Sequence, residues 1–176
     1  KDGKIIGRGY HRKYGGPHAE RIALASCWPA PQGSILYVTL EPCCHTGKTP
    51  PCTEAILESG IETVVIGTSD PNELVSGKGI ELLKRAGIEV ICGVLEEECR
   101  ELNEVFFHYI ARKQPFVVMK YAMTADGKIA TVSGKSKWIT GEAAREHAHR
   151  SRHRYAGIMA GIGTVLADDP LLTCRL

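Results

Sequence analysis

Short apolar runs alternate along the chain with amphipathic stretches, and their spacing sets the first reading. Residues 4–9 follow an Asp2-Gly3 pair and read as a strand leaving a hairpin turn. Pro17 prepares a helix expected over residues 18–27. Residues 34–40 (SILYVTL) are rich in β-branched and aromatic side chains and read as a strand. A Pro- and Gly-rich loop is expected at 41–51, a helix at 52–59 and a strand at 62–67. A helix at 77–86, closed by Gly87, and a strand at 88–93 follow. Leu95, Cys99, Leu102, Phe106 and Tyr109 recur at helical spacing, which predicts one helix over 96–110 with a buried stripe.

This alternation implies an α/β sandwich with helices on both faces of the sheet. Residues 111–115 (ARKQP) are polar, end in Pro and read as a linker. Beyond them a strand is expected at 116–121, then an Asp126-Gly127 turn, a helix at 141–152 and a strand at 157–160. Two domains follow, 1–112 and 113–176. The second is short for an independent α/β domain, and the first opens on a turn with no strand ahead of it. The chain is therefore expected to be cut short at both ends.

Composition narrows the class. Hydrophobic residues are 43% and charged residues 24%, a globular mix with enough apolar material for a core. Net charge is +2, from 22 basic and 20 acidic residues, with no polybasic run. That argues against a nucleic-acid partner and leaves room for a phosphate on a small ligand. No apolar stretch approaches the roughly 18–20 residues of a membrane span, so no membrane partner is expected. Seven cysteines cannot complete a disulfide framework. Three of them cluster with His45 in a Gly- and Pro-rich loop, a pattern that favours metal over disulfides and a reducing cytoplasm.

The chemistry centres on His18-Ala19-Glu20 and the later cysteines. A catalytic zinc site uses three protein ligands and leaves the fourth position to water. His18, Cys43 and Cys52 meet that rule, two thiolates and a neutral imidazole balancing the Zn²⁺ charge. Residues two apart on a regular helix diverge by about 200°. His18 and Glu20 therefore converge only if they straddle the helix start, which Gly16-Pro17 makes plausible. Cys52 likewise follows Pro50-Pro51. Glu20 is then a proton carrier, not a ligand. The general deaminase pattern is H-x-E followed by P-C-x-x-C. Here the second cysteine lies nine residues beyond Cys43, which forces a choice among Cys43, Cys44, His45 and Cys52. Cys43 is chosen because it follows Glu41-Pro42, and Cys52 because it opens a helix. Cys44 is a packed thiol beside the site, and Cys27, Cys92, Cys99 and Cys174 are core or inert thiols.

The stretch from Glu41 to Cys52 (EPCCHTGKTPPC) resembles the zinc loop of the bifunctional riboflavin-biosynthesis deaminase/reductase family. The likeness continues through Asp70-Pro71-Asn72 and the run from Val75 to Gly79. It resumes at Lys120, Asp126 to Ala130, Ser136 to Thr140, Gly161 to Thr164 and Asp168 to Arg175. It implies two steps. The first is zinc-dependent hydrolytic deamination of 2,5-diamino-6-(5-phosphoribosylamino)pyrimidin-4-one. The second is reduction of the ribosyl group with NADPH. It also implies a three-layer cytidine-deaminase-like sandwich followed by the start of a dihydrofolate-reductase-like α/β domain.

His45, Lys48 and Thr49 lie between two metal ligands, so they rim the site and suit a ribose or phosphate. Asp70 and Asn72 follow a strand end, a usual ligand position, although Asp-Pro-Asn also makes a turn unaided. Gly161-Ile162-Gly163-Thr164 reads equally as a dinucleotide phosphate loop or a plain glycine turn. By resemblance, Ala122, Trp138, Thr164 and Asp168 match NADP-contacting positions. Lys120, Ser136, Arg152, Leu172 and Arg175 match reductase substrate or active-site positions. His147, His149 and His153 read as solvated helix residues. The partner is thus a small phosphorylated pyrimidine, in a homo-oligomer, and the shortened reductase half is expected to be inactive.

Three rivals remain. A nucleoside or tRNA-editing deaminase shares the zinc chemistry but would carry P-C-x-x-C. A structural zinc module would close the metal with a fourth protein ligand. A reductase using the zinc domain only for folding would keep reduction after zinc loss.

Overall fold

The computed structural model describes residues 1–176, which divide into two compact units, Lys1–Phe116 and Val117–Leu176. The first holds three parallel strands in the order β1-β2-β3: β1 Ile35–Leu40, β2 Thr63–Thr68 and β3 Glu89–Cys92. Leu36 pairs with Val64, Val38 with Ile66, and Val64 with Val90. Each crossover is helical, as parallel strands require. α1 (Ala19–Ala25) precedes β1, α2 (Cys52–Glu58) joins β1 to β2, and α3 (Lys78–Arg85) joins β2 to β3.

Period-two alternation sorts the side chains of β2. Val64 and Ile66 meet Leu36, Ile56 of α2, Leu83 of α3, Ile61 and Ile88 in one buried cluster, with Leu24 of α1 packed against it. Ile56, Val64, Ile66 and Leu83 are fully buried, and burying each side chain is worth about 1.5–3 kcal/mol. The opposite face takes α4 (Glu96–Leu102). There a Cβ on Gly67 would run into the Cys99 sulfur, so only a glycine lets the helix close on the strand. Helices therefore cover both faces, as the alternation predicts.

Four expectations change. Residues 4–9 form no strand. Their backbone groups are satisfied elsewhere: the Trp28 N–H donates to the Ile6 carbonyl, and Ser26 Oγ both accepts from the Arg8 N–H and donates to its carbonyl. The turn ahead is formed as expected, with Asp2 and Gly3 both at positive φ and the Lys4 N–H bonded to the Lys1 carbonyl. Second, the helix expected over 96–110 is two helices, α4 and α5 (Glu104–Arg112). Asn103 stands between them at φ −103, ψ 15, and its side-chain amide donates to the Cys99 carbonyl at 2.8 Å. The Asn103 N–H still donates to the Cys99 and Arg100 carbonyls, so the break lies in the backbone dihedrals of Asn103 itself. Third, neither helix contains a buried residue, and Leu102 is 68% exposed, so the apolar stripe is not a core face here.

Fourth, the second unit has helices α6 (Glu142–Arg154) and α7 (Ile162–Asp168), and the strands expected at 116–121 and 157–160 are absent. A strand exists only when a neighbour shares its backbone hydrogen bonds, and neither run has one. No residue of this unit is buried.

Candidate active site

Local chemistry builds the site at two helix starts. His18 is the N-cap of α1, in extended conformation at φ −70, ψ 162, so its side chain and that of Glu20 straddle the entry to the helix. Cys52 is the first residue of α2, directly after Pro51, and is fully buried. Cys43 stands just past β1. The loop returns on itself there: the Thr53 N–H donates to the Cys43 carbonyl at 3.2 Å, and the Cys52 N–H donates to Cys43 Sγ at 3.3 Å.

These placements bring three metal-binding groups together. His18 Nδ1 lies 3.4 Å from Cys43 Sγ and 3.4 Å from Cys52 Sγ, and all three ligand atoms fall within 4.8 Å of one another. Bonds of about 2.1 Å to nitrogen and 2.3 Å to sulfur at a tetrahedral metal put N and S about 3.5 Å apart. The triangle fits a zinc ion. Cys44 is outside it, with its thiol near the Leu74 carbonyl at 3.9 Å.

Cys43 is brought below the ordinary thiol range, first by the hydrogen bond from the Cys52 thiol, with help from His18. Cys52 is pushed up, first by that same bond and then by burial. Glu20 is raised above the ordinary carboxylate range, chiefly by burial, with Cys43 adding to the shift and His18 and Cys52 opposing it. It therefore sits at the ligand triangle as a carboxyl able to hold a proton nearer neutrality.

Beside the triangle is an open hollow of about 220 Å³, lined by His11, Tyr14, His18, Cys43, His45, Lys48 and Thr49. Its size suits a single small ring, below the roughly 300–1,000 Å³ of larger ligand pockets. Lys48 Nζ lies 4.1 Å from the centre of the Tyr14 ring. The His45 Nδ1 atom is buried and has no partner within the protein. Asp70 and Asn72 do not line the hollow. Asp70 Oδ1 accepts the Asn72 N–H at 2.8 Å, and Asn72 Oδ1 accepts the Leu74 N–H at 3.2 Å, so both build the turn. Asp70 is nonetheless close enough for His45 and Cys43 to act on its carboxyl, which burial raises.

Three residues enter that the spacing of motifs did not mark. His11 meets the His18 ring edge-on at 5.6 Å, and its Nδ1 lies 3.1 Å from the Pro17 carbonyl. Arg21 and Glu41 hold backbone around the ligands. Glu41 precedes Pro42-Cys43, and that placement was its only signal.

In the second unit the Trp138 ring, 72% exposed, is covered by the Arg145 guanidinium at 4.5 Å. Thr164 lies within α7, Asp168 ends it, and both are exposed. Gly161-Ile162-Gly163-Thr164 is thus a helix start, with Gly161 as N-cap. Ala122 is half-buried, and Lys120 and Ser136 are exposed. Arg152 Nη1 donates to the Thr173 carbonyl at 3.2 Å, and Arg175 Nη1 to Thr173 Oγ1 at 2.6 Å. His149 is not merely solvated, since its Nδ1 accepts the Arg175 N–H at 3.2 Å. Arg152 and Arg175 therefore converge on Thr173, beside Leu172 at φ +36. The hollow in this unit is lined by Thr124, Asp126, Lys128, Ala130, Thr131, Lys135 and Ile139, and none of the expected NADP residues borders it.

Comparison with known proteins places this geometry. The cytidine and deoxycytidylate deaminase zinc-binding region matches residues 1–68, and the RibD C-terminal domain matches residues 115–176. The riboflavin biosynthesis protein RibD of Actinobacillus pleuropneumoniae is 58% identical over 176 residues, covering 100% of this chain and 47% of that protein. The RibD of Aquifex aeolicus is 55% identical over 175 residues, covering 99% of this chain and 49% of that protein. The crystal structure of a diaminohydroxyphosphoribosylaminopyrimidine deaminase/5-amino-6-(5-phosphoribosylamino)uracil reductase from Thermotoga maritima is 56% identical. It superposes with a TM-score of 0.93 over 100% of this chain and 51% of its own. The chain spans about half the length of the curated relatives it matches.

Proposed function

This chain belongs to the RibD family of riboflavin-biosynthesis proteins, and we propose that residues 1–112 form a zinc deaminase acting on 2,5-diamino-6-(5-phosphoribosylamino)pyrimidin-4-one. The observation that carries this reading is the triangle of His18, Cys43 and Cys52, with the Glu20 carboxyl close enough for His18 and Cys43 to act on it. A zinc ion held by those three groups would leave one position for a water and lower the pKa of that water toward ~7.

The chain's own residues supply the remainder. Glu20 would take one proton from the attacking water and deliver it to the ring nitrogen, then carry the second proton of that water, from the new hydroxyl, to the amine, so that the C–N bond breaks and ammonia leaves. Its burial-raised affinity for a proton suits one group to both roles near neutral pH. His45, whose buried Nδ1 has no partner in the protein, and Lys48 border the hollow, where an exocyclic oxygen and a ribose phosphate would find partners. Thr49 adds a hydroxyl at the rim, and Asp70 and Asn72 form the neighbouring loop.

Residues 113–176 belong to the NADPH-dependent half, which reduces the ribosyl group of the deaminated product in the intact protein. By the family resemblance, Ala122, Trp138, Thr164 and Asp168 would hold NADP, which would supply the hydride, and Lys120, Ser136, Arg152, Leu172 and Arg175 would hold the second substrate. The convergence of Arg152 and Arg175 on Thr173 supports a corner that accepts an anion. The protein works as a homo-oligomer in the cytoplasm. The exposed Ile35 and Tyr37 of the edge strand β1 support contact with further protein, and seven unpaired cysteines support a reducing compartment. No helix is long and apolar enough to cross a membrane.

The test is ammonia release from the phosphoribosylated diaminopyrimidine, measured with zinc content, before and after chelation. One zinc per chain and zinc-dependent release from this substrate are expected. Release from cytidine instead would transfer the site to the nucleoside deaminases.

A further inference from the structure

The deamination chemistry above makes no use of Glu41, yet Glu41 is among the most completely engaged side chains in the molecule. It is 3% exposed. Its Oε2 accepts the Asp70 N–H at 3.2 Å and the Gly77 N–H at 3.0 Å. Its Oε1 accepts the Gly79 N–H at 3.0 Å and the Ile80 N–H at 3.2 Å. Four backbone donors thus converge on one buried carboxylate, the arrangement in which an anion is best stabilised without a counter-charge.

The donors come from separate places. Gly79 and Ile80 are in the first turn of α3, and Gly77 is its N-cap. Asp70 belongs to the loop after β2, whose turn Asp70 and Asn72 build themselves. Glu41, in turn, is fixed by its own N–H, which donates to the Thr68 carbonyl at 3.0 Å. Cys43 follows two residues later. A helix cap would need only the α3 donors. The Asp70 bond goes further and ties the zinc loop to the loop on the other side of the site.

We propose that Glu41 is a positioning residue that sets the spacing between the Cys43 loop and the Asp70–Asn72 loop, and thereby the geometry in which the pyrimidine substrate is bound. This rests on the deaminase reading. The clamp acts on binding through His45, which borders the hollow and lies near enough to the Asp70 carboxyl to act on it, whereas Glu41 reaches the ligand triangle only through the chain. Glu41→Gln retains the shape but turns an NH₂ toward two N–H donors, so one arm of the clamp must open.

The experiment compares the parent, Glu20→Gln, Glu41→Gln and Gly77→Ala in the intact protein, reading zinc content, kcat and KM for the phosphoribosylated diaminopyrimidine. For Glu41→Gln the expected result is retained zinc, a kcat within about threefold of the parent and a KM raised about tenfold or more, in line with losses at groups that orient a site. Gly77 sits at φ +80 with open space around its Cα. Gly77→Ala therefore strains one donor arm without a clash, and a smaller KM rise in the same direction is expected. A thermal midpoint that falls while KM stays unchanged would reduce Glu41 to a structural cap and overturn the proposal. Loss of zinc with unchanged KM would overturn it too, by moving the role to the metal. If Glu41→Gln does not fold, Gly77→Ala decides alone. A parent that releases no ammonia from this substrate sinks the deaminase reading and the clamp's role in binding with it. An active parent with unchanged KM in both variants sinks the clamp only.

Discussion

Arg21 of α1 donates from Nη2 to the carbonyl oxygen of Pro51 at 2.7 Å. Its Nε donates to the Pro50 carbonyl at 3.2 Å. One planar guanidinium thus grips both carbonyls that lead into Cys52, and it does so from the helix His18 caps. The link holds the imidazole and one thiolate in register across two helices.

Removing that grip should loosen the metal before it unfolds the domain. Arg21→Ala is expected to weaken zinc binding by about 10–100-fold, the usual loss when a group that orients metal ligands is deleted. Arg21→Lys should recover part of it, through one donor in place of a fork. Chelator competition measures both, and an affinity equal to the parent's would show the α1–α2 link to be idle.

Glu20 should separate binding from turnover. Glu20→Gln keeps the shape and abolishes proton transfer, so kcat is expected to fall about 10²–10⁴-fold with zinc content unchanged. Retained turnover would remove Glu20 from the proton path.

Asp70 offers a pH test with a defined sign. Its carboxyl is raised above the ordinary range, chiefly by burial, with Glu41 and Cys43 adding to the shift and the Asn72 N–H and His45 opposing it. A raised carboxyl is favourable to folding while protonated, and that contribution is lost as pH rises through its folded value. At pH 7 the buried charge is therefore a cost. Asp70→Asn keeps an acceptor for the Asn72 N–H and removes the charge. A higher urea midpoint than the parent at pH 7 is expected, with the gap closing below about pH 4, where the parent carboxyl is protonated in both states. The reverse sign would show the charge to be held by a favourable partner. If Asp70 also contacts substrate, KM rises in the same variant.

Some features were legible because they depend on neighbours along the chain. Gly16-Pro17 ahead of His18, and Pro50-Pro51 ahead of Cys52, mark two helix starts, and both form where the motif needs them. The apolar runs of β1 and β2 carry β-branched residues suited to a covered parallel sheet, and both are strands. The break at Asn103 was not legible, since the apolar period runs through it and only the dihedrals of that one residue leave the helix. Nor was the loss of the strands expected at 4–9, 116–121 and 157–160, whose composition is strand-like. α7 was hidden because Gly161 and Gly163 imitate a phosphate loop.

The sequence by itself determined which groups could bind zinc, the order in which they come, and where the helices that present them begin. Those are matters of residue type and backbone preference over a few positions. Only the tertiary structure decided that His18, Cys43 and Cys52 form a triangle of metal-binding size, and that Arg21 reaches the carbonyls before Cys52. It alone decided that Glu41 gathers donors from Asp70 to Ile80. Hydrogen bonds and ligand triangles require atoms within about 3–4 Å. Residues 25 to 39 positions apart reach that distance only when the parallel sheet and its crossing helices have folded around them.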